Sequence, residues 1–174
     1  MATVDQFDLE EIGNLNAIDA RWFLPFLIHR LKPIAVERSV VAEISLRNLP
    51  EQDESTRYIE LRWGKNSDTL SVPPVQESVI TEWAAYGFAC VVVPFYSRWQ
   101  VLQVTLAGDG FDFWIGDGSN ELGLEISGTL SGDLNLRHRN KVHQLLASHH
   151  NVAGFVSVTR FRPISSILSF HGKR

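Results

Sequence analysis

The sequence predicts a mixed α/β domain (an elaborated α+β type): a helix, an antiparallel meander, then helix–strand–strand–strand–helix–strand. Three observations carry this. Residues 38–47 and 57–63 alternate apolar and polar side chains, the period of half-buried strands. From Val75 the period changes, and Gln76 to about Val93 reads as a helix, strongly apolar in its second half and so expected to be buried. Three short strand patterns, a capped basic helix and a last strand follow.

Residues 1–13 read as a loosely held acidic lead-in. Asn16 or Asp19 is placed to cap a helix running to about Lys32, with Trp22, Phe23, Phe26, Leu27 and Leu31 on its apolar side. Pro25 lacks a backbone donor and is expected to disturb that helix or divide it. In Arg38–Arg47, Val40, Ala42, Ile44 and Leu46 face one way and Val41, Glu43, Ser45 and Arg47 the other. After a polar loop, Arg57–Trp63 sets Ile59, Leu61 and Trp63 against Tyr58, Glu60 and Arg62. Gly64–Asp68 reads as a turn and Thr69–Val72 as the third strand of the meander. Pro73 and Pro74 stop the sheet and mark a boundary between residues 1–74 and 75–174.

In the second part, Trp99–Leu106 is a strand pattern. Phe111–Ile115 and Leu122–Ser127 are two more, joined by the turn formers Asp117, Gly118, Ser119 and Asn120. Ser131 or Asp133 can cap a helix running to about His149, with Leu134, Val142, Leu145 and Leu146 as its apolar residues. Arg137, Lys141 and Gln144 are spaced to share its other face. Val152–Phe161 reads as the last strand. The tail beyond Pro163 is partly apolar and ends in His171, Lys173 and Arg174.

At 174 residues, with 44% apolar side chains, five Trp and ten Phe, the chain can bury a substantial core. The single cysteine, Cys90, lies in an apolar run, which excludes a disulfide framework and a cysteine-rich zinc site. The opening MATVDQFDLEE has no signal-peptide pattern, and the longest apolar stretch, around Ala84 to Phe95, is short for a bilayer and contains Pro94. The expectation is a cytoplasmic protein with no membrane partner. The net charge of −4 is unevenly spread: residues 1–130 hold 9 Lys or Arg against 19 Asp or Glu, and residues 131–174 hold 7 against 1, with five of the six His. A basic end beside an acidic site suits a phosphate-containing partner. The other reading is a basic tail that packs on the chain's own acidic part.

Asp112 and Glu125 stand out because each is a carboxylate in an apolar strand, where a charge is costly unless it is paired or bound to a metal. On adjacent strands of one hairpin they can lie close together, as a hard cation such as magnesium requires.

With Asp112 in GDGFDFW, Glu125 in GLEIS and the helix–strand–strand–strand–helix–strand order, residues 75–161 resemble the core of the PD-(D/E)XK nuclease superfamily, the restriction-endonuclease-like fold. The resemblance implies hydrolysis of phosphodiester bonds, with DNA the default substrate. Asp112 and Glu125 would hold magnesium (or manganese), and Glu82 in TEWAA is offered as an additional acid from the first helix. The family's lysine stands two residues after the second acid, where this chain has Ser127, which cannot act as an ammonium does. Either the basic role has moved to the following helix, with Lys141 and Arg137 as candidates and Arg139 beside them for nucleic-acid contacts, or the chain is a degenerate module that binds nucleic acid or a protein partner. In either case Ser127 shares a side of its strand with Glu125 and could bind metal-bound water.

The same residues have plainer explanations. Asp112 can fix a strand entry, Glu125 can pair with Arg137 or Arg139, and Glu82 can favour the helix dipole. His149 and His150 at a helix end suit a charge device better than a metal pair, and His138 and His143 share a helical face poorly. The string LEISGT is no nucleophile elbow. A third function class is a structural or oligomeric protein, in which strand edges in residues 37–72 pair with a second copy to give a homodimer.

Overall fold

The structure, a computed structural model, describes residues 3–148, 150 and 153–172. The strands are β1 (Val4–Asp8), β2 (Ser39–Arg47), β3 (Ser55–Arg62), β4 (Gln100–Val104), β5 (Phe113–Gly116), β6 (Glu121–Thr129), β7 (Gly154–Phe161) and β8 (Ile164–His171). The helices are α1 (Leu24–Leu31), the one-turn α2 (Lys65–Asp68), α3 (Glu77–Tyr96) and α4 (Leu134–Leu146), with short 3-10 turns around α1. All eight strands form one mixed sheet in the order β1-β3-β2-β8-β7-β6-β5-β4. Residues before and after Pro73–Pro74 share that sheet, because β2 runs parallel to β8.

The alternation seen in the sequence is the burial seen in β2 and β3. Val40, Ala42, Ile44, Leu46, Ile59 and Leu61 are buried, while Val41, Glu43 and Arg57 face outward. The main core lies between this sheet face and the helices α1 and α3. At Gly128 in β6 the approach of α3 is close: a Cβ there would stand 2.5 Å from the Thr81 carbonyl oxygen. Helix α4 covers the other face, over β6, β7 and β8, on a small cluster of Phe111, Leu145, Val156 and Val158. Helix α3 is long and apolar enough to cross a membrane by length and composition, but most of it is buried inside the domain. It packs as a core helix of this fold, and the buried thiol of Cys90 belongs to it.

Several elements differ from expectation. The lead-in is ordered: Val4–Asp8 pairs parallel with β3, and Leu9 and Ile12 are fully buried. Its alternation is too short to show as a strand before its partner is known. The helix expected from Asn16 or Asp19 to Lys32 is divided. Asp19 caps a 3-10 turn at Ala20–Phe23, and α1 starts at Leu24, which puts Pro25 in the first turn where its missing N–H costs nothing. Thr69–Val72 is not a strand, so the antiparallel meander has two strands, and α2 replaces the turn before it. The apolar tail after Pro163 is β8, an interior strand between β7 and β2. Asp112 lies one residue before β5 rather than within a strand. Helix α4 ends at Leu146, and His149, Val152, Lys173 and Arg174 lie outside the described residues.

Candidate functional site

The β5–β6 hairpin sets Phe113 opposite Leu124, and the Asp112 N–H donates to the Leu124 carbonyl at 3.0 Å. One step further along, this register brings Asp112 beside Glu125. Along β6, Gly123, Glu125 and Ser127 point to the α4 side, and Leu124 and Ile126 to the other. Asp133 caps α4 by accepting from the N–H groups of Asn135 and Leu136, which fixes where the helix starts and therefore which side chains lean over β6.

Two basic side chains do so. The Lys141 ammonium donates to Glu125 Oε1 at 2.5 Å and to Gln144 Oε1 at 3.1 Å. The Arg137 guanidinium donates to Ser127 Oγ at 3.0 Å. Glu125 is 0% exposed and Lys141 25%. Burial, with the Asp112 charge adding to it, pushes the Glu125 carboxyl up to about 7, against the opposing pull of Lys141. The second oxygen of Glu125, Oε2, is buried with no hydrogen-bond partner. A buried acceptor left unsatisfied costs about 1–3 kcal/mol, so this oxygen is an unmet demand for a proton or a cation.

Asp112 is held from two sides. Its Oδ2 accepts the Ile126 N–H at 2.7 Å, and its Oδ1 faces the Tyr86 hydroxyl at 3.0 Å. Tyr86 lies on α3, one turn after Glu82, and its hydroxyl is also 2.9 Å from Glu82 Oε1. A phenol has one proton to donate, and both neighbours, when ionised, only accept. Burial and the two carboxylates raise the Tyr86 phenol above its ordinary value, so it keeps that proton. Burial likewise raises the Asp112 carboxyl, although the Ile126 amide, Tyr86 and Lys141 oppose the shift.

The structure therefore brings together Asp112, Glu125, Ser127, Arg137 and Lys141, with Glu82 joined through Tyr86. Glu125 pairs with Lys141 and not with Arg137 or Arg139. Arg139 is exposed, two residues from Arg137 on a different side of α4, and takes part in no ion pair among the described residues. His138 is drawn into a separate buried network. His150 pairs with Asp109 at 2.9 Å and rests against Phe111 and Trp114. Tyr86 was not singled out from the sequence. The signal was there in the Glu82–Tyr86 spacing, which puts both on one face of a helix.

The donors fit a hard divalent cation in kind, being carboxylate oxygens with one acceptor atom unsatisfied. In number they are few: no group of three or more His, Cys, Asp or Glu is arranged to hold a metal among the described residues. That is compatible with magnesium, which one or two carboxylates hold while waters and substrate phosphates fill its remaining positions. No protein-family model, curated protein or solved structure matches the chain.

Proposed function

We propose that the chain is a metal-dependent nuclease of the restriction-endonuclease-like kind, hydrolysing phosphodiester bonds in DNA. The observation that carries this reading is the Lys141–Glu125 contact. The ammonium that the family places on the strand is here delivered from the next helix to the buried acid beside Asp112. The element order α3, β4, β5, β6, α4, β7 and the acids' places in it support the same reading.

Magnesium held by Asp112 and Glu125, with Glu82 as a further oxygen donor, would stabilise charge on the phosphate and make an attacking water more acidic. The chain's own groups have separate tasks. Lys141 places a positive charge next to Glu125. Arg137, exposed beside a groove of about 380 Å³ that also includes Gly132 and Asn140, offers a guanidinium to a phosphate oxygen. Ser127 is held by Arg137 and presents a hydroxyl on the same side as Glu125. Tyr86 sets its hydroxyl between Asp112 and Glu82 and so ties the two acids together.

The test is cleavage of DNA with magnesium or manganese by wild type and by Asp112→Ala, Glu125→Ala and Lys141→Ala. The expected result is that both acid variants lose activity by at least about a hundredfold, as when a preorganised electrostatic group is removed, with Lys141→Ala strongly impaired. Cutting that survives unchanged in both acid variants would falsify the reading. One observation favours the alternative of a non-catalytic module that binds nucleic acid or a protein partner. The raised Glu125 carboxyl leaves the site partly protonated near neutrality. Robust metal-dependent turnover by the purified protein excludes that alternative.

A further inference from the structure

On the far side of Tyr86 from the acids, the surface opens into an apolar groove of about 710 Å³, within the range of small-ligand sites. Trp22 and Trp83 stand on it, 77% and 39% exposed, with Phe23 and Phe26 behind them and Val104, 65% exposed, at the end of β4. Isolated exposed aromatics need no explanation, but two indoles lining one groove do. The Phe26 and Trp83 rings are edge to face at 4.8 Å between centroids, which fixes the Trp83 indole with part of its surface to solvent.

Two chains of contacts link the groove to the acid site. Phe23 packs edge to face on Tyr86 at 5.6 Å, and the Tyr86 hydroxyl touches Asp112. Val104 pairs with Phe113, and the Thr105 N–H that follows donates to the Asp112 carbonyl. The Val104 end of the groove therefore lies beside the backbone of Asp112.

We propose that this groove binds unpaired bases of a single-stranded nucleic acid whose backbone passes the Asp112–Glu125 site, an assignment that rests on the nuclease reading. Aromatic faces accept any base by stacking, and this is how single strands are gripped without sequence preference. A paired duplex offers no free base faces to the indoles. The charge distribution agrees. The acidic side chain at the groove, Asp19, is neutralised by Arg21 at 2.7 Å, while the cations suited to phosphate, Arg137 and Lys141, lie on α4, over the other face of the sheet. Bases go to the aromatic side and phosphates to the basic side.

The experiment is fluorescence anisotropy of a labelled oligothymidylate, and of a duplex of equal length, with the full chain and no divalent metal. It is run on wild type, Trp22→Ala and Trp83→Ala. Trp22 is largely exposed, so its removal should leave the fold intact. Wild type is expected to prefer the single strand, and Trp22→Ala to weaken single-strand binding by roughly 10- to 100-fold, the range for losing a base–aromatic stack. Unchanged binding in both indole variants, or no single-strand binding by wild type, overturns the proposal. So does an occupant that turns out to be a protein segment displacing no oligonucleotide. If wild type cuts duplex and Trp22→Ala cuts and binds as well, the groove assignment fails and the nuclease reading stands. If Trp22 governs binding but nothing is cut, the groove assignment stands and the nuclease reading fails.

Discussion

Tyr86 and Ser169 each place one hydroxyl between two polar side chains, in two regions of the molecule with different outcomes. Ser169 Oγ is 2.6 Å from His138 Nε2 and 2.8 Å from His171 Nε2, beneath the part of α4 that covers β8. A neutral imidazole nitrogen is either a donor or an acceptor, so one histidine can donate to the hydroxyl while the other accepts from it. Burial pushes His138 down to about 4 and lowers His171 as well, which keeps both rings neutral near neutrality. Tyr86 faces two carboxylates that can only accept, and Glu125 nearby has an oxygen with no partner. Val156 and Val158, packed with Leu145, separate the two regions beneath α4. One polar region is complete in itself and reads as structure. The other leaves one carboxylate oxygen unpartnered and one phenol proton between two acids despite Lys141, a shortage of donors that a metal cation would meet.

The strongest way to break the comparison is to remove Lys141. Glu125 has its carboxyl raised from 4.5 to about 7, so its contribution to stability is fully present below pH 4.5 and is lost as pH rises through about 7. Lys141 limits that loss. In Lys141→Met the buried carboxylate has no counter-charge, and the expected cost is about 3 kcal/mol at about pH 8. That is the low end for breaking a buried pair, because the lysine is partly exposed. At about pH 5.5 the acid is neutral and the cost should shrink to under about 1 kcal/mol. Urea unfolding at both pH values measures the difference. An equal loss at both would mean that packing of the lysine stem, and not charge, is what matters.

The complete region should respond in the opposite way. His138→Ala removes a buried ring and leaves Ser169 with one partner fewer, for an expected loss of about 2 kcal/mol. The wild-type pH dependence has its own sign. A histidine lowered to about 4 adds stability that is present above its ordinary 6.5 and is lost as pH falls from there to about 4, so the variant should be flatter across that window. Manganese binding, followed by calorimetry, should be unchanged. Weakened binding would mean that the two regions are coupled through α4.

Metal binding itself should depend on pH at the incomplete site. A cation must displace the Glu125 proton, so affinity is expected to rise about tenfold per pH unit below about 7 and to level off above it. Calorimetry in two buffers of different ionisation enthalpy would count the proton released. Affinity that is flat between about pH 5 and 8 would show that Glu125 is not a ligand.

How much of this could be read in the sequence depends on the range of the interactions. The alternation in β2 and β3, the apolar run of α3, the Asp133 cap and Glu125 in β6 are local patterns, and each stands where its pattern puts it, whereas Asp112 falls one residue before β5. Helix spacing alone put Lys141 and Arg137 on one face, but only the sheet under α4 decides that Lys141 meets Glu125 while Arg137 meets Ser127. Elements whose identity depends on a distant partner were illegible: β1 needs β3, and β8 becomes a strand by pairing with β7 and β2. The contact of Tyr86 with Asp112 was hidden for the same reason, since it joins positions 26 residues apart.

The smallest expected effect bears most directly on the two hydroxyls. In Glu82→Gln the side-chain amide can donate to the Tyr86 oxygen while Tyr86 donates to Asp112, which gives the phenol the donor–acceptor pairing that Ser169 already has. Stability should then rise slightly, by less than about 1 kcal/mol, the usual scale of one added hydrogen bond at a partly exposed position. Tyr86→Phe removes the shared hydroxyl and should cancel the gain, so the two substitutions together form a double-mutant cycle on one proton. The same variant separates the two tasks open to Glu82. If that carboxylate holds the cation together with Asp112 and Glu125, Glu82→Gln weakens manganese binding while it stabilises the fold. If Glu82 serves only as Tyr86's second acceptor, stability rises and manganese affinity does not move. A loss of stability would mean that the phenol donates to Glu82 in the native state, leaving Asp112 with the Ile126 amide as its main support.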